Sequence, residues 1–160
     1  MLTVADLPPP ALQELLNSYS IEVKMVANNE PIPGSFWGDS EAGIIQNNLY
    51  VRPETPVHSA LHEACHYICL DAARRDALDT DAGGDYDEEN AVCYLQILLA
   101  AKLSGCSADI LMNNMDSWGY TFRLGSAKAW FQEDAVDAQQ WLLKEQLIDQ
   151  KNIPTGRLRR

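Results

Sequence analysis

Positive charge is scarce in this chain of 160 residues. It has 12 lysines and arginines against 23 aspartates and glutamates, which gives a formal net charge of -11 at pH 7. A surface of this sign repels the phosphates of nucleic acids and the headgroups of anionic lipids. The composition therefore argues against nucleic acid and membranes as partners.

The sequence also lacks a long apolar run. Residues 1–10 (MLTVADLPPP) have neither the basic start nor the apolar stretch of a signal peptide. No segment approaches the roughly 18 apolar residues that cross a bilayer. We therefore expect a cytoplasmic protein, in which cysteines remain free thiols. The cysteines concerned are Cys65, Cys69, Cys93 and Cys106.

Hydrophobic periodicity predicts one α+β domain over residues 1–150, followed by a polar, flexible tail over residues 151–160. The strand-like segments predict a small, mainly antiparallel sheet packed on helices. These segments are residues 21–27, 35–38 and 43–51. A helix capped by Thr55 is expected to begin at Pro56 and end near Arg75. Further helices are predicted over residues 11–19, 88–103, 108–115 and 126–148.

Histidine is rarer still, and all three histidines lie close together. His62, Glu63 and His66 form an HExxH motif inside the predicted helix, one turn after His58. Helix positions four apart differ by about 40° after a full turn, so both motif imidazoles can bind one metal ion. Glu63 lies about 100° from His62, within reach of a water on that metal. The pattern predicts a zinc site in which Glu63 accepts the proton of the attacking water.

A third protein ligand has to be acidic, because no histidine follows His66. Glu88 and Glu89 begin the next predicted helix, and the intervening loop lets this helix return beside the first. Adjacent helix positions differ by about 100°, so only one of the two glutamates can face the metal. The residues by themselves leave both open. His58 falls in the first helical turn and is expected to be exposed at the rim of the cleft.

The order strand, HExxH helix, loop and glutamate-led helix resembles the gluzincin zinc metallopeptidases, and among them the compact ImmA/IrrE-like family. The likeness covers roughly residues 35–103, and residues 89–99 (ENAVCYLQILL) are similar to the family's second motif, E-A-N-x-F-A-A-x-L-L. The resemblance implies a compact zincin-like domain that binds one Zn²⁺ per chain. It also implies that His62, His66 and Glu89 are the ligands and that Glu63 is the general base.

Two positions depart from the gluzincin pattern. An aspartate often follows the ligand glutamate by four residues and orients a metal-binding histidine, but here that position is Cys93. The aspartates that could replace it are Asp71, Asp85 and Asp87. These peptidases also use a histidine or tyrosine to stabilise the oxyanion. Tyr120 is our first candidate for this catalytic role, followed by Tyr86 and Arg123.

The sequence therefore predicts a zinc-dependent metallopeptidase, a hydrolase that acts on a peptide or protein substrate. We expect the substrate to pair along the edge of the 43–51 strand, which would deliver its carbonyl to the metal. The alternative is a non-hydrolytic zinc-binding module that uses the same fold to bind a partner protein.

Overall fold

The computed structural model describes residues 1–35, 41–79 and 83–160. These residues form an α+β fold of seven α-helices and one three-stranded sheet, as the sequence predicts for the fold class. The strands are β1 (Glu22–Met25), β2 (Gly43–Ile45) and β3 (Asn48–Val51). The helices are α1 (Ala11–Leu16), α2 (Val57–Cys69), α3 (Ala72–Asp76), α4 (Tyr86–Lys102), α5 (Ala108–Trp118), α6 (Ala127–Glu133) and α7 (Val136–Lys144). No described helix combines the length and the apolar character needed to span a membrane.

The sheet is mixed, so the prediction of a mainly antiparallel sheet is wrong. Strand β3 lies in the centre, antiparallel to β2 and parallel to β1. The predicted strand over 43–51 is a hairpin that turns at Gln46, where φ is 51°. A tight turn forces β2 and β3 to be antiparallel, whereas the long connection after β1 allows a parallel pairing. Of the predicted 35–38 strand, residues 36–38 lie outside the described residues.

Helix α2 is packed between the sheet and α4, and residues on several of its sides are buried. Leu61, Ala64 and Ile68 are fully buried in the core. The helix ends earlier than predicted, because Leu70 is extended and the Asp71 side chain caps α3 by accepting a hydrogen bond from the Arg74 amide. The predicted Thr55 cap is also wrong. The Thr55 hydroxyl accepts a hydrogen bond from the Arg52 amide instead, at 2.8 Å.

The predicted long helix over 126–148 is interrupted, and α6 and α7 are separate helices. The break falls at Asp134 and Ala135, and the Asp134 carboxylate there pairs with Arg123. Helix α5 is longer than predicted and ends at Gly119, where φ is 114°. Glycine adopts this left-handed conformation at little cost, which makes it a common helix terminator.

Residues 151–160, expected to be a flexible tail, lie against α2 and α7. The Arg159 amide donates a hydrogen bond to the Ile68 carbonyl at 3.0 Å, and the Arg159 guanidinium lies 4.9 Å from the centre of the Trp141 ring. The last carbonyls of a helix have no partner within the helix, so they readily accept such bonds. The tail therefore contacts α2 directly after the turn that carries His66.

Candidate metal centre

The HExxH residues of α2 meet the first turn of α4. The Asp85 side chain caps α4 by accepting a hydrogen bond from the Glu88 amide at 2.8 Å. The Glu89 carboxylate oxygens each lie 3.2 Å from a histidine nitrogen, Nε2 of His62 and Nε2 of His66. The two Nε2 atoms are 3.1 Å apart. Three potential metal donors thus converge on one point, and they come from the three residues that the sequence analysis favoured as ligands.

The separations between these donors fit a zinc ion. Ligands bound about 2.0–2.1 Å from a tetrahedral zinc lie about 3.3–3.4 Å from one another. Two imidazoles and one carboxylate are a donor set that catalytic zinc sites use. Burial raises the pKa of the Glu89 carboxyl, but hydrogen bonds from His62 and His66 outweigh this and hold it well below its usual range. The Glu89 side chain is 47% exposed, so solvent reaches the cluster from this side.

Glu88, the other candidate ligand, points away from the histidines. Its side chain is only 5% exposed and binds the Arg74 guanidinium with both carboxylate oxygens, at 3.0 and 2.5 Å. Nη1 of Arg159 also contacts Glu88, at 3.0 Å. Glu88 is therefore a buried ion-pair partner that ties the start of α4 to α3 and to the tail, next to Glu89.

Glu63 lies beside the metal-binding face of α2. A cavity of about 150 Å³ opens next to Glu63 and His62, with Glu41, Ser59 and Trp118 among the residues in its wall. Burial raises the pKa of the Glu63 carboxyl, while the two motif histidines oppose this shift and only partly offset it. A carboxylate of raised pKa next to a metal centre is suited to accept a proton and return it.

A side chain that the sequence analysis did not assign to the site lies behind His62. Gln96 of α4 is fully buried, and its Oε1 atom is 3.0 Å from Nδ1 of His62. None of the three aspartates proposed for this position takes it, since Asp71 and Asp85 cap α3 and α4 and Asp87 is exposed. A polar residue within the apolar run from Ala91 to Ala101 was the sequence signal that could have identified Gln96.

His58 is fully buried, and the prediction that it lies exposed at the cleft rim is wrong. The end of α5 and the loop after it cover the first turn of α2, with Trp118 packed 4.9 Å from the His58 ring centre. Nδ1 of His58 lies 3.2 Å from the Tyr120 hydroxyl. Burial lowers the pKa of the His58 imidazole to about 4, so this histidine is neutral at pH 7.

The Tyr120 hydroxyl is turned toward buried groups. It contacts His58, and Nε2 of Gln96 lies 3.5 Å away. The Tyr120 side chain also lines the cavity beside Glu63 and His62. The other oxyanion candidates have different surroundings. Tyr86 is 78% exposed, and Arg123 pairs with Asp134. The oxyanion role of Tyr120 stays a prediction.

If the Tyr120 hydroxyl keeps its contacts with His58 and Gln96 during turnover, Tyr120→Phe should lower turnover by less than about tenfold and leave zinc content unchanged. The reason is that the hydroxyl would have to leave both His58 and Gln96 before it could reach a substrate oxygen. Turnover and zinc content measured on the same preparation test this expectation. A fall of about 10²–10³ in kcat with zinc retained would instead support the oxyanion role.

The outer edge of β2 is partly covered. Gly34 lies so close to β2 that a Cβ atom at this position would be 2.9 Å from the backbone nitrogen and oxygen of Ile44. Asp79 forms an isolated β-bridge with Ile45. Both contacts lie on the side of β2 that faces away from β3. The strand edge predicted to pair with substrate is therefore already contacted at these two positions.

Comparison of the chain with protein-family models, with curated proteins and with solved structures found no match. The functional argument therefore depends on the chemistry of the centre itself.

Proposed function

We propose that this chain is a zinc-dependent metallopeptidase that hydrolyses peptide bonds. The observation that carries the proposal is the convergence of His62, His66 and Glu89. The two Nε2 atoms lie 3.1 Å apart and each is 3.2 Å from one Glu89 carboxylate oxygen, with Glu63 beside His62. An HExxH helix joined to a glutamate from the following helix is also what the gluzincin resemblance implies.

The residues of this chain have separate roles in the proposed reaction. His62, His66 and Glu89 would hold one zinc ion, which would supply a Lewis acid and lower the pKa of water to about 7. Glu63 takes a proton from the attacking water and gives it to the leaving amine nitrogen. The raised pKa of the Glu63 carboxyl helps it to hold that proton between the two steps.

Metal analysis of the purified protein is the first test. We expect about one zinc ion per chain, because three protein donors form a complete catalytic zinc site. His62→Ala removes one donor and should lose the zinc. Inductively coupled plasma mass spectrometry after gel filtration measures both results.

Asp87→Ala is the matched control, because Asp87 is an exposed acidic residue in the same turn as Glu89. We expect this variant to keep its zinc. A chain that takes up no zinc after incubation with the metal and desalting would overturn the proposal.

A non-hydrolytic zinc-binding module is the second candidate function. The observation that favours it is the inward position of the Tyr120 hydroxyl, which leaves the predicted oxyanion donor bonded to His58 and Gln96. Zinc-loaded protein that cleaves no member of a diverse peptide library, yet binds one protein stoichiometrically, would support this alternative. Cleavage of any library peptide that is lost in Glu63→Gln would exclude it.

A further inference from the structure

Gln96 combines complete burial with hydrogen bonds at both ends of its amide. Nε2 donates to the backbone carbonyl of His58 at 2.8 Å, while Oε1 lies 3.0 Å from Nδ1 of His62. Burying an amide is unfavourable unless its polar atoms find partners, and here both do. The side chain thus links α4 to two successive turns of the HExxH helix.

These two bonds determine where the proton on His62 lies. A backbone carbonyl only accepts, so the amide group must direct its NH₂ toward His58 and its oxygen toward His62. That oxygen also only accepts, so Nδ1 of His62 must carry a proton and donate it. In the neutral ring, which is the form that binds a metal, Nε2 of His62 then keeps its lone pair, on the side that faces His66 and Glu89.

We propose that Gln96 is the positioning residue of the metal centre, which holds His62 in the orientation and tautomer that bind zinc through Nε2. This inference rests on the proposed metal site. A carboxylate could not replace the amide without loss, because its second oxygen would face the His58 carbonyl oxygen at about 2.8 Å. Tyr120 lies behind the same amide, with its hydroxyl 3.5 Å from Nε2 of Gln96.

The test compares zinc affinity in the unchanged chain and in Gln96→Leu, by competition with a chromogenic chelator. Leucine has nearly the same bulk but makes neither hydrogen bond. Residues that orient a metal-binding histidine typically contribute about 10–100-fold to metal affinity, so we expect a loss of that size. Equal affinity of the two proteins would overturn the proposal.

Gln13→Leu is the matched control. Gln13 has the same two kinds of bond at a distant place in the fold, accepting from the Val23 amide at 2.8 Å and donating to the Ile21 carbonyl at 2.9 Å. We expect this variant to bind zinc within about twofold of the unchanged chain, since its amide touches no proposed ligand. Equal losses in both variants would show a general effect of destabilisation and would also overturn the proposal.

A spectroscopic measurement needs no variant and stands even where Gln96→Leu fails to fold. Long-range ¹H–¹⁵N spectra of the zinc-loaded chain should show a protonated Nδ1 and a metal-bound Nε2 for His62. The opposite tautomer would overturn the role of Gln96 while the proposed zinc site stands. A chain that binds no zinc would overturn the proposed function and this inference with it.

Discussion

Glu63→Gln should remove nearly all peptide cleavage while the variant binds zinc as well as the unchanged chain does. The amide has nearly the same shape as the carboxylate but cannot accept the proton of the attacking water. General-base catalysis typically raises the rate by a factor of about 10²–10⁴, so we expect kcat to decrease by a factor of that size. The measurement uses the library peptide that the unchanged chain cleaves fastest, with zinc content determined on the same samples.

Glu41→Gln is the control for charge in the same cavity. Glu41 lines the cavity beside Glu63, but it lies on the segment that leads into β2 instead of on the HExxH helix. We expect this variant to retain kcat within a few-fold. A cleavage rate that does not change in Glu63→Gln would refute the general-base role, whatever the result for Glu41.

Glu89→Ala should weaken zinc binding, whereas Glu88→Ala should weaken the fold, although the two residues are adjacent. Glu89 meets both histidines and is half-exposed, so its loss removes a proposed ligand without opening the core. We expect zinc affinity to fall by more than about 100-fold, because even the residues that orient ligands contribute about 10–100-fold. The free energy of unfolding, measured by urea denaturation of the zinc-free protein, should fall less than in Glu88→Ala, because the lost contacts with His62 and His66 involve a half-exposed carboxylate.

Glu88→Ala should instead destabilise the fold. Glu88 is buried between Arg74 and Arg159, and removing it takes away the buried partner of both arginines. Each arginine keeps one more exposed carboxylate, Asp71 for Arg74 and Glu145 for Arg159. Because both arginines are still partly exposed to solvent, we expect a loss of about 2–4 kcal/mol in the free energy of unfolding. The folded fraction should retain zinc. Loss of zinc from folded Glu88→Ala, with zinc retained in Glu89→Ala, would reverse the assignment of the two glutamates.

Local patterns in the sequence predicted α1, β1 and the start of α2. The local patterns failed where an apolar pattern continues across a turn or across the interruption of a helix. The 43–51 segment reads as one strand because apolar residues flank a turn at Gln46. The 126–148 segment reads as one helix because the break at Asp134 does not interrupt its periodicity. The tail packs on the core through Arg159, whose partner Glu88 lies 71 positions earlier in the sequence.

The sequence by itself determined that His62 and His66 lie on one side of one helix, with Glu63 beside them and two glutamates at the start of a later helix. Those placements follow from helix geometry and from spacings of a few residues, which are local properties of the chain. Only the tertiary structure decided that Glu89 meets the histidines, that His58 is buried, and that Gln96 supports His62. These three outcomes depend on how α4 and the end of α5 are rotated against α2. Such contacts join residues as far apart as the 62 positions between His58 and Tyr120, and no local pattern specifies them.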